Sequence, residues 1–126
     1  MSELAGQEVV KKTAAARVMR VALAGEIDRE GSSQLSSLLD RLFDSGVIKV
    51  VIDFAEVSHF DYRGVRPLLR RSEAFRDLGG DVRLAGLSSY LFAIFRSAGA
   101  DDAFDYFASV DDAVASFTRS IFVTGG

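Results

Sequence analysis

From Val18 onward, short β-branched runs alternate with stretches in which large apolar residues recur at helical spacing. The run "VMRVALA", Val18 to Ala24, is apolar apart from Arg20, is closed by Gly25, and reads as a strand. Val9 and Val10 begin a weaker candidate for a partner strand, across a turn near Thr13 to Ala16. Leu35, Leu38, Leu39, Leu42 and Phe43 then follow the i, i+3, i+4, i+7, i+8 pattern that puts every large side chain on one helical face. Ser32 or Ser33 is placed to cap this helix and Gly46 to end it. The next run, "IKVVIDF" from Ile48 to Phe54, is apolar at nearly every position, as in a strand covered on both faces.

The second half repeats the alternation. Val65, Leu68, Leu69, Phe75 and Leu78 predict a helix that Gly79-Gly80 stops, and Val82 to Ala85 is a short strand. Ser88 is positioned to cap a helix carrying Leu91, Ile94, Phe95 and Ala98 on one face, with Gly99 beyond its end. Phe104 to Phe107 reads as a last strand, and Ser109-Val110-Asp111-Asp112 resembles a capping box that opens a final helix. Strand and helix in strict turn predict an α/β sandwich. Its sheet is mostly parallel, has four to five strands with room for an initial antiparallel pair, and is flanked by about four helices. In such sheets, sites lie beyond the carboxyl ends of the strands, which here selects the segment after Phe54.

Composition narrows the chemistry. With 126 residues, 48% of them hydrophobic, the chain fits one domain over residues 1–126 with a core at about 8–118 and with Ser120 to Gly126 free to fray. It has no cysteine and one histidine, which excludes thiol catalysis and thiolate metal sites and leaves no histidine-based metal centre to expect. "AGEIDREG" lacks the spacing of a dinucleotide or phosphate-binding loop, so no cofactor is expected. A net charge of −3 gives no global field for nucleic acid. The N-terminus lacks a signal-peptide pattern and no apolar run reaches bilayer length, so the expected location is the cytoplasm.

The segment of interest is "SHFDYRGVRPLL", Ser58 to Leu69. Ser58, His59 and Asp61 are residue types of a hydrolase triad, but neighbouring extended residues point to opposite faces and do not converge, so no catalytic residue is assigned. Asp61, just before a helix, suits a cap that accepts backbone N–H bonds. Gly64 permits close approach or an unusual backbone angle. Pro67 is tolerated only in a first helical turn, which favours a helix start near Gly64 over one at Asp61. Arg63, Arg66 and Arg70 share a face opposite Val65, Leu68 and Leu69. Such a row is commonly a solvated face, and it is also a basic strip suited to carboxylates, phosphate or an anionic lipid head group. Phe60 and Tyr62 beside it are candidate aromatic anchors for a protein interface.

Three stretches in order, "VALAGEIDREGSSQLSSLL", "VVIDFAEVSHFDYRGVRPLL" and "GGDVRLAGLSSYLFAIFRSAGADDAF", resemble the STAS domains, particularly the stand-alone bacterial anti-sigma-factor antagonists. The resemblance covers roughly Val18 to Phe117. It implies a non-enzymatic module that binds an anti-sigma factor of the serine-kinase-like type and so regulates transcription. In members that switch, the loop reads Asp-Ser-Ser-Gly or Asp-Ser-Thr-Gly, and the residue after the acid is phosphorylated. Phosphate adds about −1.5 to −2 charge to a packed interface and opposes association. By position, Asp61 and Gly64 match the family's acid and glycine, Tyr62 falls at the phosphoacceptor and Arg63 at the second hydroxyl residue. Tyrosine carries its hydroxyl farther out on a rigid ring, so no serine-type phosphorylation is expected at Tyr62. The expected docking surface is Phe60, Asp61, Tyr62, Arg63 and Gly64 with Arg66 and Arg70. Some STAS domains instead serve membrane lipid or anion transporters as soluble accessory subunits, a second role the same surface would suit.

Overall fold

A computed structural model describes residues 17–119. The elements, in order, are β1 (Met19–Ile27), α1 (Arg29–Asp44), β2 (Lys49–Phe60), a 3-10 turn (Tyr62–Gly64), α2 (Val65–Asp77), β3 (Asp81–Ala85), α3 (Ser89–Ser97), β4 (Tyr106–Phe107) and α4 (Val110–Arg119). The four strands lie in the order β1-β2-β3-β4 and every neighbouring pair is parallel. The α/β sandwich with a parallel sheet and four α-helices is therefore as the sequence predicts. The strand expected at Val9 and Val10, and with it the antiparallel pair, lies outside the described residues.

Alternation along β2 builds two cores. Val50, Ile52 and Phe54 face one side, where Leu35 and Leu39 of α1, Leu68 and Phe75 of α2, and Leu91 and Phe95 of α3 close over them. Val51 faces the other side with Val18, Ala85, and Ala113 and Phe117 of α4. Hence β2 is apolar at successive positions: both its faces are covered. The three helices that connect parallel strands share one face, as crossovers of a single hand require.

Element boundaries depart from the sequence reading at instructive places. β1 does not close at Gly25 but runs on to Ile27. Pairing steps from Ala22↔Asp53 to Ala24↔Glu56, then from Gly25↔Val57 to Glu26↔His59, so β2 twice carries one residue more than β1. Gly25, with φ 81°, takes the left-handed conformation between these shifts. The Asp53 carboxylate accepts the Ala55 N–H at 2.9 Å and fixes the first shift. α1 starts before Ser32 because Asp28 caps it, accepting the Gly31 N–H at 2.8 Å. Ser32 points inward instead, bonding the Arg29 carbonyl. α3 and α4 do start where their serines predict: Ser88 accepts from Leu91 N–H and Ser109 from Asp112 N–H, each at 3.1 Å. Leu78 lies past the end of α2 and is 55% exposed, so it does not continue that helix's apolar face. Of Phe104 to Phe107, only Tyr106 and Phe107 form the strand.

Asp81, at the amino end of β3, is buried beneath two guanidinium groups. It accepts from Arg76 Nε at 2.9 Å, Arg83 Nε at 3.0 Å and Val82 N–H at 2.8 Å. In a parallel sheet this cluster lies at the end opposite the segment after β2.

Candidate functional site

β2 outlasts its other neighbour. β3 pairs with it only from Lys49 to Asp53, and from Glu56 to Phe60 it is accompanied by β1 alone. The first three residues of the segment of interest, Ser58 to Phe60, are thus strand. The two register shifts bring Val57 and then Phe60, each three residues on, to the core face of Phe54; Phe60 has no exposed surface and packs on Phe54 and Phe95 with ring centroids 5.8 and 5.4 Å away. Phe60 is consequently no surface anchor; it clamps the root of the turn from inside.

The chain turns sharply at Asp61. Its N–H donates to the Ile27 carbonyl at 2.9 Å, tying the turn to the end of β1. Its carbonyl accepts the Gly64 N–H at 2.8 Å, and its carboxylate accepts the Arg63 N–H at 2.8 Å. The Arg63 guanidinium then closes on the same carboxylate through Nε at 3.1 Å and Nη2 at 2.9 Å. This fork, seconded by the backbone N–H, holds the Asp61 carboxyl down at about 2 and pushes the Arg63 pKa up. Asp61 is therefore both the predicted cap and half of an ion pair that the sequence reading did not foresee.

Gly64 has an ordinary φ of −83°, so its small size serves close approach and not an unusual backbone angle. A Cβ there would lie 2.6 Å from Ser32 Cβ and 2.8 Å from Ser32 Oγ. The buried Ser32 is the seat on which the turn rests, and it enters the site only through this packing. Gly64 is itself buried, so it shapes the docking surface without belonging to it. α2 begins at Val65, which leaves Pro67 in the first turn as its chemistry demands.

What remains outside is Tyr62, 54% exposed, with Arg63, Arg66 and Arg70. Arg63 belongs to the 3-10 turn and is spent on Asp61, so the row of three cations is reduced to Arg66 and Arg70. Tyr62, Arg63 and Arg66 form one wall of a groove of about 490 Å³ whose other wall is Ser97, Ala98 and Gly99 at the end of α3. Nothing in the local pattern around Ser97 to Gly99 signals that role; only the packing of α3 brings it there. Tyr90, in the first turn of α3, is also 54% exposed and bonds His59 Nδ1 at 2.6 Å. Two of the three large exposed apolar residues among those described thus follow the carboxyl ends of the adjacent strands β2 and β3.

Ser58, His59 and Asp61 do not converge: His59 is engaged with Tyr90, Asp61 with Arg63, and Ser58 is exposed. A second cleft, of about 540 Å³ between α3 and β4, is lined by Leu87, Phe92, Tyr106 and their neighbours. Its one charged group is Arg96, stacked over Phe92, and its phenol, Tyr106, is bonded to the Ala100 carbonyl. Neither place assembles an acid, a base and a nucleophile.

Comparison with known structures agrees with this architecture. An anti-sigma-factor antagonist (STAS) domain protein from Planctomyces limnophilus superposes with a TM-score of 0.72 at 17% identity, over 84% of this chain and 95% of that one. The phosphorylated cell fate determinant SpoIIAA of Bacillus gives 0.64 at 20% identity, over 83% and 95%. A sulfate transporter family protein from Wolinella succinogenes gives 0.68 at 20% identity, over 82% and 87%. At these identities the likeness speaks for the fold alone. No curated protein sequence matches the chain significantly. The sequence pattern of the STAS domain, however, matches residues 9–113, nearly the whole of the folded unit, and the chain belongs to the STAS domain family.

Proposed function

We propose that this protein is a non-enzymatic regulatory module of the anti-sigma-factor-antagonist type. It acts in the bacterial cytoplasm by binding an anti-sigma or serine-kinase-like regulator, and it does so without the family's serine switch. The observation that supports this reading is the turn itself: Tyr62, which the family resemblance sets at the phosphoacceptor position, is exposed, and Arg63 is locked to Asp61. A serine kinase needs a short, flexible acceptor; here the acceptor position carries a rigid ring and the next residue is immobilised. The docking surface is then Asp61, Tyr62 and Arg63 with Arg66 and Arg70, held from beneath by Phe60 and Gly64. Binding is constitutive, because no phosphate arrives to break it. Incubation with the kinase-like regulator and ATP, followed by mass spectrometry, should find residues 60 to 64 unmodified. Stoichiometric phosphate anywhere in that window overturns the reading.

A second reading is supported by the likeness to the Wolinella sulfate transporter family protein and to murine Slc26a9, an anion transporter of which this chain covers 18%. In it, the module is a soluble accessory subunit of a membrane lipid or anion transporter. Co-purification with a transporter from solubilised membranes, in place of a kinase-like regulator, decides for it.

A further inference from the structure

We infer that the segment of the partner protein that enters the groove is acidic, and that its carboxylates are received by Arg66 and Arg70 while Tyr62 packs beside them. This deepens the docking reading above and rests on it.

Several of the arginines are already satisfied within the fold. The chain carries a net charge of −3, so local positive surface has to be concentrated against the average. Arg63 is paired with Asp61, Arg71 with Asp40, and Arg76 and Arg83 with Asp81. Arg66 and Arg70 are both exposed, and among the described residues no carboxylate lies within ion-pair distance of either; the same holds for Arg20, Arg29, Arg41 and Arg96, and what distinguishes this pair is its place, Arg66 in the groove and Arg70 one turn along α2. They are one turn apart on α2, where like charges at i, i+4 repel each other weakly in the free protein. An arriving carboxylate relieves that repulsion and accepts two parallel N–H bonds from a guanidinium, a geometry lysine cannot offer.

The position of the pair adds direction. Arg66 lines the groove together with Tyr62, and Arg70 lies one turn farther along α2. Across from them, Ser97, Ala98 and Gly99 are small, which leaves room for a main chain and not merely for a side-chain tip. The strip therefore fits a peptide segment that carries acids along its length better than it fits an isolated anion. Complementary charge of this kind steers encounter and selects the partner more than it adds raw affinity.

The test uses a fluorescein-labelled peptide of alternating glutamate and leucine, and its counterpart with glutamine for glutamate, in fluorescence anisotropy with the full chain. The glutamate peptide should bind, weaken with added salt, and weaken by about tenfold or more in the Arg66→Glu/Arg70→Glu protein. The Arg20→Glu/Arg41→Glu protein, with the same net charge but both changes elsewhere on the surface, should keep wild-type affinity. Equal binding of the glutamine peptide, no effect of the α2 reversals, or an equal loss in the control protein each overturns the inference. So does a preference for vesicles containing phosphatidylglycerol over the peptide with the same dependence on Arg66 and Arg70, which assigns the strip to a membrane. If the α2 reversals leave the complex with the kinase-like regulator intact while Tyr62→Ala abolishes it, the acidic segment falls and the docking site stands. If neither matters, the docking reading itself falls.

Discussion

The Asp61 carboxylate receives the Arg63 N–H and both ends of the Arg63 fork, and that concentration of donors has a pH signature. Its folded-state pKa of about 2 lies below the value near 3.9 of an unfolded aspartate. A depressed folded pKa contributes stability that is complete above the unfolded value and is lost as pH falls through the folded one. The difference in unfolding free energy between wild type and Asp61→Asn should thus be constant at neutral pH, shrink from just above about pH 4, and lose the last of its pH-dependent part only below about pH 2. Urea titrations across that range, followed by circular dichroism, measure it. Carboxyl-detected NMR of Arg63→Ala should find the Asp61 pKa raised towards an ordinary aspartate. Gly64→Ala is expected to destabilise by about 1–3 kcal/mol, the usual effect of forcing a methyl group into a filled site. Because the clash is with Ser32 Cβ as well as Oγ, Ser32→Ala should not rescue it, a result a double-mutant cycle in urea reads directly. At this scale the sequence made the types of Asp61, Gly64 and Pro67 legible, since each has one dominant backbone role. The Arg63 fork was not legible, because a two-residue separation says nothing of where a long side chain folds.

Helices and strands show the same division between pattern and context. The helical stripes from Leu35 to Phe43 and from Leu91 to Ala98 were readable because burial against a sheet imposes their spacing. Strand ends were not, because β1 and β2 continue past their apolar runs on backbone pairing alone, through Gly25 and through Ser58 and His59. Phe60 reads as a surface anchor only while the strand is ended before it; with the strand extended through its two register shifts, the ring turns inward. Phe60→Ala should accordingly cost about 3–5 kcal/mol of stability, as for other buried aromatic truncations, and not behave as a loss of contact alone. Thermal unfolding beside partner titration separates the two: a protein that still binds in its folded fraction places Phe60 in the core. Capping is easier to foresee and to test. Ser88→Ala removes the acceptor of the Leu91 N–H and should cost about 1 kcal/mol by urea unfolding.

Across the molecule, the two ends of the sheet carry different duties. Asp81 with Arg76 and Arg83 braces the amino end of β3, while the Tyr62 turn and the groove lie beyond the carboxyl end of β2. Asp81→Ala should destabilise by about 2–3 kcal/mol, less than a fully sequestered ion pair, since both arginines keep access to water. It should leave peptide anisotropy unchanged at temperatures where the variant is folded, whereas Arg66→Glu/Arg70→Glu should do the reverse. The sandwich and its parallel order were legible from alternation, because topology follows from which elements must be buried together. The far wall of the groove was not, since it depends on where a helix ends in space.

The two shifts in pairing between β1 and β2 bear on how such a surface can change over time. The end of β2 is a jetty reaching past β3, moored to β1 by a register that already tolerates surplus residues. Removing Ser58, the surplus residue of the second shift, would leave Val57 and His59 as successive residues opposite Gly25 and Glu26, with Phe60 two places after Val57 and still on the core face. The reach of the jetty, and with it the height at which Tyr62 stands, is therefore adjustable by one surplus residue at a time, separately from the core that carries it.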